Sequence, residues 1–177
     1  TDALLLTGET AAGSYPIRAV RTMAEIIEEA EAYALSQSSN WRYQLLIEAD
    51  SGDFPVVADA VARAGVLTAQ NLSVQQIVAF SRSGFTARLV SRYRPSVPVL
   101  VFTPDERVAR QMQLLWGVHP LPVSERPDTE EQVVAAVENR LRSAKLVKPG
   151  ELLVILMGSR VGERRPTNMM RIHQVGR

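Results

Sequence analysis

The sequence predicts an α/β fold with a mostly parallel five-stranded sheet, helices on both faces and one antiparallel closing strand. First, helical and extended patterns alternate along residues 53–177, the order that produces parallel strands joined by helices. Second, the extended segments are short apolar runs, typical of strands that are buried on both faces. Third, the last strand follows the fourth through a loop without a helical pattern, so we expect these two strands to pair antiparallel.

Composition limits the classes of function that the chain can have. Its 177 residues carry a net charge of +1, which argues against a general nucleic-acid or membrane-surface binder. The chain has no cysteine, which excludes disulfides and thiolate chemistry and suits a reducing compartment such as the cytoplasm. No apolar run approaches the roughly 20 residues that span a bilayer. The sequence has no initiator Met and reaches Leu4 almost at once, so we expect a fragment of a longer protein.

The first 52 residues predict a strand, a helix and a linker. Residues 3–6 are an apolar run that predicts a buried strand, residues 7–13 a loop, and Pro16 lies in the first turn of a helix. The glutamates of this helix indicate a solvated face rather than a metal cluster. Residues 37–52 begin with a polar run and indicate a linker. We therefore expect one domain over residues 1–36 and a second over residues 53–177.

The first helix of the second domain is predicted from its cap and its apolar stripe. Asp53 is expected to cap this helix, with Pro55 in its first turn. The residues expected on its buried face are Val57, Ala60, Val61, Ala64 and Leu67.

Two further helices begin with capping-box spacing. Residues 103–106 predict one start, with Pro104 in the first turn and the helix running to about Trp116. Prolines at positions 120 and 122 restrict pairing, so the strand that contains them is expected at a sheet edge. The last helix starts near residue 128, and the residues expected on its inward face are Val133, Val134, Val137 and Leu141.

A loop between a strand and a helix is the strongest candidate for a functional site. After the apolar run of residues 77–80 come Ser81, Arg82, Ser83 and Gly84, and a helix that contains Thr86 follows. Free amides and the positive end of the helix dipole meet at this junction, so it suits a phosphate group, and Arg82 could add a charged contact. The alternative is that Ser83 and Gly84 only cap the helix in an ordinary turn.

A second candidate loop carries three arginines. Residues 158–167 follow the strongly apolar strand of residues 151–157, so this loop also leaves the carboxyl end of a strand. If the two strands are close, both loops open on the same side of the sheet. Arg160, Arg164 or Arg165 could then hold a second phosphate, or they could belong to a solvated loop.

Motifs of common catalytic sites are missing from the sequence. There is no Walker loop, no G-x-G-x-x-G fingerprint, no nucleophile elbow and no paired His/Cys metal spacing. The two histidines are His119 and His173, and His119 has no evident partner for metal binding or acid–base chemistry. We therefore expect no catalytic residue and no metal ligand within this chain.

Three stretches of the sequence resemble pyruvate kinase. DALLLTGETAAGSYPIRAV (residues 2–20) resembles the end of the family's catalytic barrel, VAFSRSGFTARLVSRYRPSVPVLVFT (residues 78–103) the core of its C-terminal domain, and PTNMMRIHQV (residues 166–175) its closing strand. The resemblance implies that residues 1–36 are the last strand and helix of the barrel. It also implies that these residues pack outside the second domain, or dock on it or on another chain.

What the resemblance implies for catalysis concerns the full-length enzyme. That enzyme transfers a phosphoryl group from phosphoenolpyruvate to ADP in glycolysis, giving pyruvate and ATP, and uses Mg²⁺ and K⁺. The family's metal-binding and substrate-binding residues lie on earlier barrel strands that this chain lacks. The chain alone is therefore expected to be inactive and to bind no metal.

The resemblance also implies regulation and assembly. The family's effector loop, T/S-x-S-G-x-T/S, is matched by Ser81, Ser83, Gly84 and Thr86, with Arg82 and Phe85 at its variable positions. Residues 158–167 match its second element. A sugar phosphate or a nucleoside monophosphate is the expected effector, and the family's catalytic barrel and tetramer partners are the expected protein contacts. The alternatives are a structural oligomerisation domain without a ligand and a free-standing phosphate-binding module, against which the barrel-like segment argues.

Overall fold

A computed structural model describes residues 4–36, 55–124, 127, 129–158 and 167–176. The chain divides into two compact units, Thr1–Glu48 and Ala49–Arg177. In the part of the chain that is described, no helix has both the length and the apolar character needed to cross a membrane.

The described residues of the first unit form two helices, α1 (Gly8–Ala11) and α2 (Pro16–Ser36). Helix α1 is a single short turn within residues 7–13, so the prediction of a loop there is wrong for residues 8–11. Helix α2 begins at Pro16, as predicted, because the fixed φ of proline suits a first turn. The strand predicted over residues 3–6 is wrong for residues 4–6, which are in no strand, and Leu5 is 85% exposed. A strand needs a neighbour for its backbone groups, and the described residues of this unit provide none. Residue 3 lies outside the described residues.

The second unit is a five-stranded α/β domain. Its sheet has the order β3-β2-β1-β4-β5, in which the first four strands are parallel and β5 pairs antiparallel with β4. The predicted fold is therefore confirmed, including the proline-containing strand at an edge. In chain order the elements are α3 (Val56–Asn71), β1 (Ile77–Phe80), α4 (Phe85–Arg92), β2 (Val99–Thr103), α5 (Glu106–Met112), β3 (Val118–Pro122), α6 (Glu130–Ser143), β4 (Leu152–Met157) and β5 (Met169–Gln174).

Helix α6 covers one face of the sheet. Its inward residues are those predicted, Val133, Val134, Val137 and Leu141, and all four are buried. They form one apolar cluster with side chains that alternate along β1, β2 and β4 and therefore share a face of the sheet. These sheet residues include Val78, Leu100, Phe102, Leu153, Ile155 and Met157.

Helix α3 packs on the sheet through a different face from the one predicted. Val57 is 62% exposed, so the predicted face is wrong. Gly65 lies so close to β4 that an added Cβ would be 2.8 Å from Leu156 Cδ2. A stripe of small residues allows this close approach, whereas the larger valines would hold the helix away. The buried residues are Ala58, Asp59, Ala62, Gly65, Val66 and Ala69.

Helix starts differ from prediction by one or two residues. Asp105 caps α5 by accepting hydrogen bonds from the amides of Arg107 and Val108, so Pro104 precedes the cap instead of lying in the first turn. Helix α5 also ends at Met112, earlier than predicted. Thr129 and Gln132 form a capping box at α6. The predicted cap Asp53 lies outside the described residues. Pro55, which was predicted in the first turn of α3, is instead its N-cap, so this helix begins one residue later, at Val56.

A partly buried carboxylate connects α6 to the closing strand. Glu138 Oε2 lies 2.7 Å from His173 Nε2, and Glu138 Oε1 accepts from the Gly176 amide at 3.1 Å and from Arg142 at 3.3 Å. The hydrogen bond from His173 is the main cause that lowers the pKa of Glu138, and the bonds from Gly176 and Arg142 lower it further. The ionised carboxylate therefore holds the end of β5 against α6.

Acidification should remove this contribution to stability. Because the pKa of Glu138 is lower in the folded state, its stabilisation is fully present above its ordinary pKa of 4.5 and is lost as pH falls through the lowered value. We expect Glu138→Gln to cost about 1 kcal/mol near neutral pH. The difference from the unsubstituted chain should shrink as pH falls below 4.5, as measured by urea unfolding.

The matched control is Glu106→Gln, which removes a carboxylate that is 81% exposed and pairs with Arg110 along the same helix. This control should change the unfolding free energy by a few tenths of a kcal/mol at most. A cost of Glu138→Gln that stays constant or grows on acidification would contradict this role of the carboxylate.

Candidate phosphate-binding site

The candidate loop leaves the carboxyl end of the middle strand. Strand β1 ends at Phe80, residues 81–84 form the loop, and α4 begins at Phe85. Strand β4 is a parallel neighbour of β1, with Ala79 opposite Leu156, so the chain also leaves β4 at this edge. Ligands of open α/β sheets bind in the crevice outside the carboxyl ends of strands.

Gly84 sets the turn from the loop into the helix. It is the N-cap of α4 in the left-handed conformation, with φ of 74°. It is buried, and an added Cβ would lie 3.1 Å from Met112 Cγ on α5. The conformation and the close packing both favour glycine here. The turn directs the first amides of α4, which have no acceptor within the helix, towards the end of the loop.

The polar residues of the loop differ in exposure. Ser81 is buried, and its amide donates to the Phe102 carbonyl at 3.0 Å, which extends the β1–β2 ladder. Ser83 is exposed, whereas Arg82 and Phe85 are partly buried. Arg88, which the sequence analysis did not select, donates to the Ser83 carbonyl at 3.4 Å. The helical spacing of Arg88 after Gly84 was the available signal for it.

A pair of buried hydroxyl groups joins the candidate loop to the start of the closing strand. Thr86 Oγ1 lies 2.7 Å from Thr167 Oγ1, and the two residues are 5% and 1% exposed. Thr167 was also missed, although it ends the arginine loop that the sequence analysis selected. Arg160, Arg164 and Arg165 lie outside the described residues, so their place in the site stays a prediction.

Helix α4 is anchored by a buried carboxylate on α3. Asp59 is fully buried and accepts a hydrogen bond of 2.6 Å from the Tyr93 hydroxyl and one of 3.5 Å from Arg92. Burial, followed by the hydrogen bond to Asp59, raises the pKa of Tyr93 to about 12, so the phenol stays neutral near pH 7. These contacts fix the end of α4 that lies away from the candidate loop.

A cavity of about 410 Å³ lies at the carboxyl ends of β1, β2 and β3, on the face that α6 covers. Its walls are mostly apolar, and one wall residue, Phe80, directly precedes the candidate loop. Asn139, Arg140 and Ser143 supply polar groups from α6. The other lining residues are Phe102, Pro122, Val123, Ser124, Pro127, Val133, Ala136 and Val137.

These features define an open-sheet α/β domain with a candidate anion-binding loop at the carboxyl edge of its sheet. The family model for the pyruvate kinase alpha/beta domain matches residues 59–173. The chain therefore belongs to the pyruvate kinase family and contains its alpha/beta domain, as its motifs predicted.

Individual relatives agree with the family match. Pyruvate kinases from Staphylococcus epidermidis and Geobacillus stearothermophilus are 39% and 38% identical over 176 and 175 residues, which is 99% of this chain and 29% of each relative. The crystal structure of a pyruvate kinase from Cryptosporidium parvum has a TM-score of 0.73 and 26% identity, over 96% of this chain and 32% of that one. The chain spans about 29% of the length of the curated relatives it matches.

Replacing Gly84 should test whether the turn requires glycine. Gly84→Ala should cost about 1–2 kcal/mol for the left-handed conformation, with an added cost from the contact with Met112. The matched control is Gly117→Ala, which has a similar φ of 64° but nothing within 4 Å of the added Cβ. Urea unfolding should show the larger loss for Gly84→Ala. An equal or smaller loss would mean that Met112 does not constrain the turn.

Proposed function

We propose that this chain is the C-terminal regulatory part of a pyruvate kinase and binds the phosphate of a small effector at residues 81–86. The full enzyme would transfer a phosphoryl group from phosphoenolpyruvate to ADP, in the cytoplasm, as part of glycolysis. One observation carries the proposal: Gly84 starts α4 in a left-handed turn at the carboxyl end of the middle strand. The family match and the loop motif add support.

The chemistry of the loop suits an anion. Amides in the first turn of α4 and the positive end of its dipole attract negative charge. The exposed Ser83 and the hydroxyl of Thr86 can donate hydrogen bonds. Arg82 and Arg88 place positive charge beside the loop, and guanidinium groups bind phosphate in a fork geometry. This arrangement holds a phosphate and carries out no reaction on it.

The catalytic functions belong to the rest of the parent enzyme in this proposal. Mg²⁺ and K⁺, which the family resemblance implies for the full enzyme, would bind in its barrel. Among the described residues, no group of three His, Cys, Asp or Glu side chains could hold a metal ion. The segment with the barrel motif, residues 1–36, would complete that barrel together with the preceding chain.

The lining of the cavity beside the loop favours an effector with one phosphate at the loop. The sheet-facing residues of α6, including Val133 and Val137, are aliphatic, and Arg140 is the one cation among the described residues that line the cavity. The apolar walls could receive a sugar or a base. We therefore propose a sugar monophosphate or a nucleoside monophosphate, whereas a second phosphate on the effector would have to pair with Arg140.

A structural oligomerisation domain is the second candidate. It is favoured by β5, which is an edge strand of the sheet that the described residues form and carries Ile172 at 50% exposure. Under this hypothesis the loop is satisfied internally, through Thr86 and Thr167, and binds no ligand. The two functions are compatible, because the family resemblance implies both effector binding and a tetramer.

Calorimetric titration of the chain with AMP, ribose 5-phosphate, glucose 6-phosphate and fructose 1,6-bisphosphate separates the two candidates. We expect at least one monophosphate to bind. Ser83→Asp should weaken that binding about tenfold or more, because a carboxylate in the loop repels the phosphate. The control, Ser96→Asp, adds the same charge at an exposed position just before β2, at the amino edge of the sheet, and should leave the affinity unchanged.

Absence of binding by all four ligands would support the structural candidate instead. Equal losses in Ser83→Asp and Ser96→Asp would show that net charge, rather than the loop, determines affinity. Sizing of the chain in solution tests assembly independently of these titrations.

A further inference from the structure

We infer that Thr167 is a positioning residue for the effector phosphate: its hydroxyl group orients the hydroxyl of Thr86 so that Thr86 donates to the phosphate. This inference rests on the proposed function. Thr167 is not part of the loop motif, so the inference gives the segment that leads into the closing strand a role that the motif does not predict. It also makes the site depend on two segments that are 81 residues apart in the sequence.

The starting observation is the hydroxyl pair itself. The two oxygens are 2.7 Å apart, which is a short distance for a hydrogen bond between hydroxyl groups. One of the two hydrogens lies between the oxygens, and either hydroxyl can supply it. The direction of this bond decides whether Thr86 offers the site a hydrogen or a lone pair.

A phosphate selects one of these two directions. If Thr86 donates to Thr167, the lone pairs of Thr86 are left to face an anion, which repels them. If Thr167 donates to Thr86, the hydrogen of Thr86 is available to the phosphate. Two hydrogen bonds in series then point from Thr167 through Thr86 to the negative charge, and each strengthens the other. Removal of the Thr167 hydroxyl would therefore weaken the second bond.

The place of Thr167 in the chain separates its role from that of Thr86. Thr86 lies in the first turn of α4, whereas Thr167 lies outside the loop and the helix, and its hydroxyl reaches them through Thr86. Its backbone is held in place by β5, which begins two residues later, and by the Asn168 amide, which donates to the Met157 carbonyl at 3.3 Å. The paired β4 and β5 strands thus fix the orienting hydroxyl.

The test is a set of titrations of the chain with AMP and, separately, with inorganic phosphate. Thr167→Val keeps the shape of the side chain and removes its hydroxyl, so we expect both ligands to bind about five- to tenfold more weakly. Thr167→Ser keeps the hydroxyl and should bind within about twofold of the unsubstituted chain. Thr167→Ala provides a second hydroxyl-free variant if Thr167→Val folds poorly.

A double-mutant cycle tests whether Thr167 acts through Thr86. Thr86→Val should weaken binding, and adding Thr167→Val should cause little further loss, because the orienting hydroxyl then has nothing to orient. Ile77→Val, a change in the buried core at the amino end of β1, controls for general loss of stability and should leave affinity unchanged.

The outcomes are distinguishable. If the unsubstituted chain binds neither ligand, the proposed function fails and the inference fails with it. If the chain binds but Thr167→Val binds equally well, the proposed function stands and the inference is overturned. Equal losses of affinity in Thr167→Ser and Thr167→Val would also overturn the inference. It would likewise be overturned if the loss of affinity in the double variant equals the product of the losses in the two single variants, because the two hydroxyls would then act independently.

Discussion

The left-handed turn at Gly84 is the constraint on which the arrangement of the domain's carboxyl edge depends. It reverses the chain immediately after the middle strand and sets the direction of α4. Met112 packs close against this turn, and Asp59 holds the other end of α4 through Tyr93 and Arg92. With both ends fixed, the first amides of the helix have a defined direction, which would lower the entropic cost of the proposed phosphate binding.

The closing strand is joined to the rest of the domain at both of its ends. The Thr86–Thr167 hydroxyl pair connects the chain two residues before β5 to α4, and the Glu138–His173 hydrogen bond connects the far end of β5 to α6. Strand β5 also lies at the edge of the sheet, where the proposed subunit contacts would form. A ligand that alters the first connection would therefore act on an element that also carries the candidate interface. Regulation by this route requires two states of the domain that differ at β5 and that bind the ligand with different affinity.

The parts of the fold that local patterns specify could be predicted from the sequence. The five strands, their order of alternation with helices and the inward face of α6 follow from apolar runs and periodicity. The face of α3 could not, because Gly65 approaches Leu156 and Asp59 is buried against Tyr93, and both contacts are tertiary. The predicted strand at residues 4–6 failed because pairing needs a neighbour.

The candidate site also has parts that could be predicted from the sequence and a part that could not. Its loop and glycine are contiguous and form a motif, so they could be selected from the sequence. Thr167 could not, since its partner lies 81 residues away and neither threonine alone indicates a pair. The start of α5 shows a smaller effect. Spacing located the start within residues 103–106, but Asp105 is the cap because its side chain reaches the free amides, so Pro104 lies before the helix.

The most direct test of the account is to follow the backbone amides of the ¹⁵N-labelled chain by NMR during titration with AMP, with adenosine as the phosphate-free control. The account predicts that the largest AMP-specific shifts occur at Ser83, Gly84, Phe85 and Thr86, and that Thr167 shifts with them. Gly117, which directly precedes β3 at the amino edge of the sheet, should not respond. Shifts confined to other parts of the domain, or identical shifts with adenosine, would contradict the account.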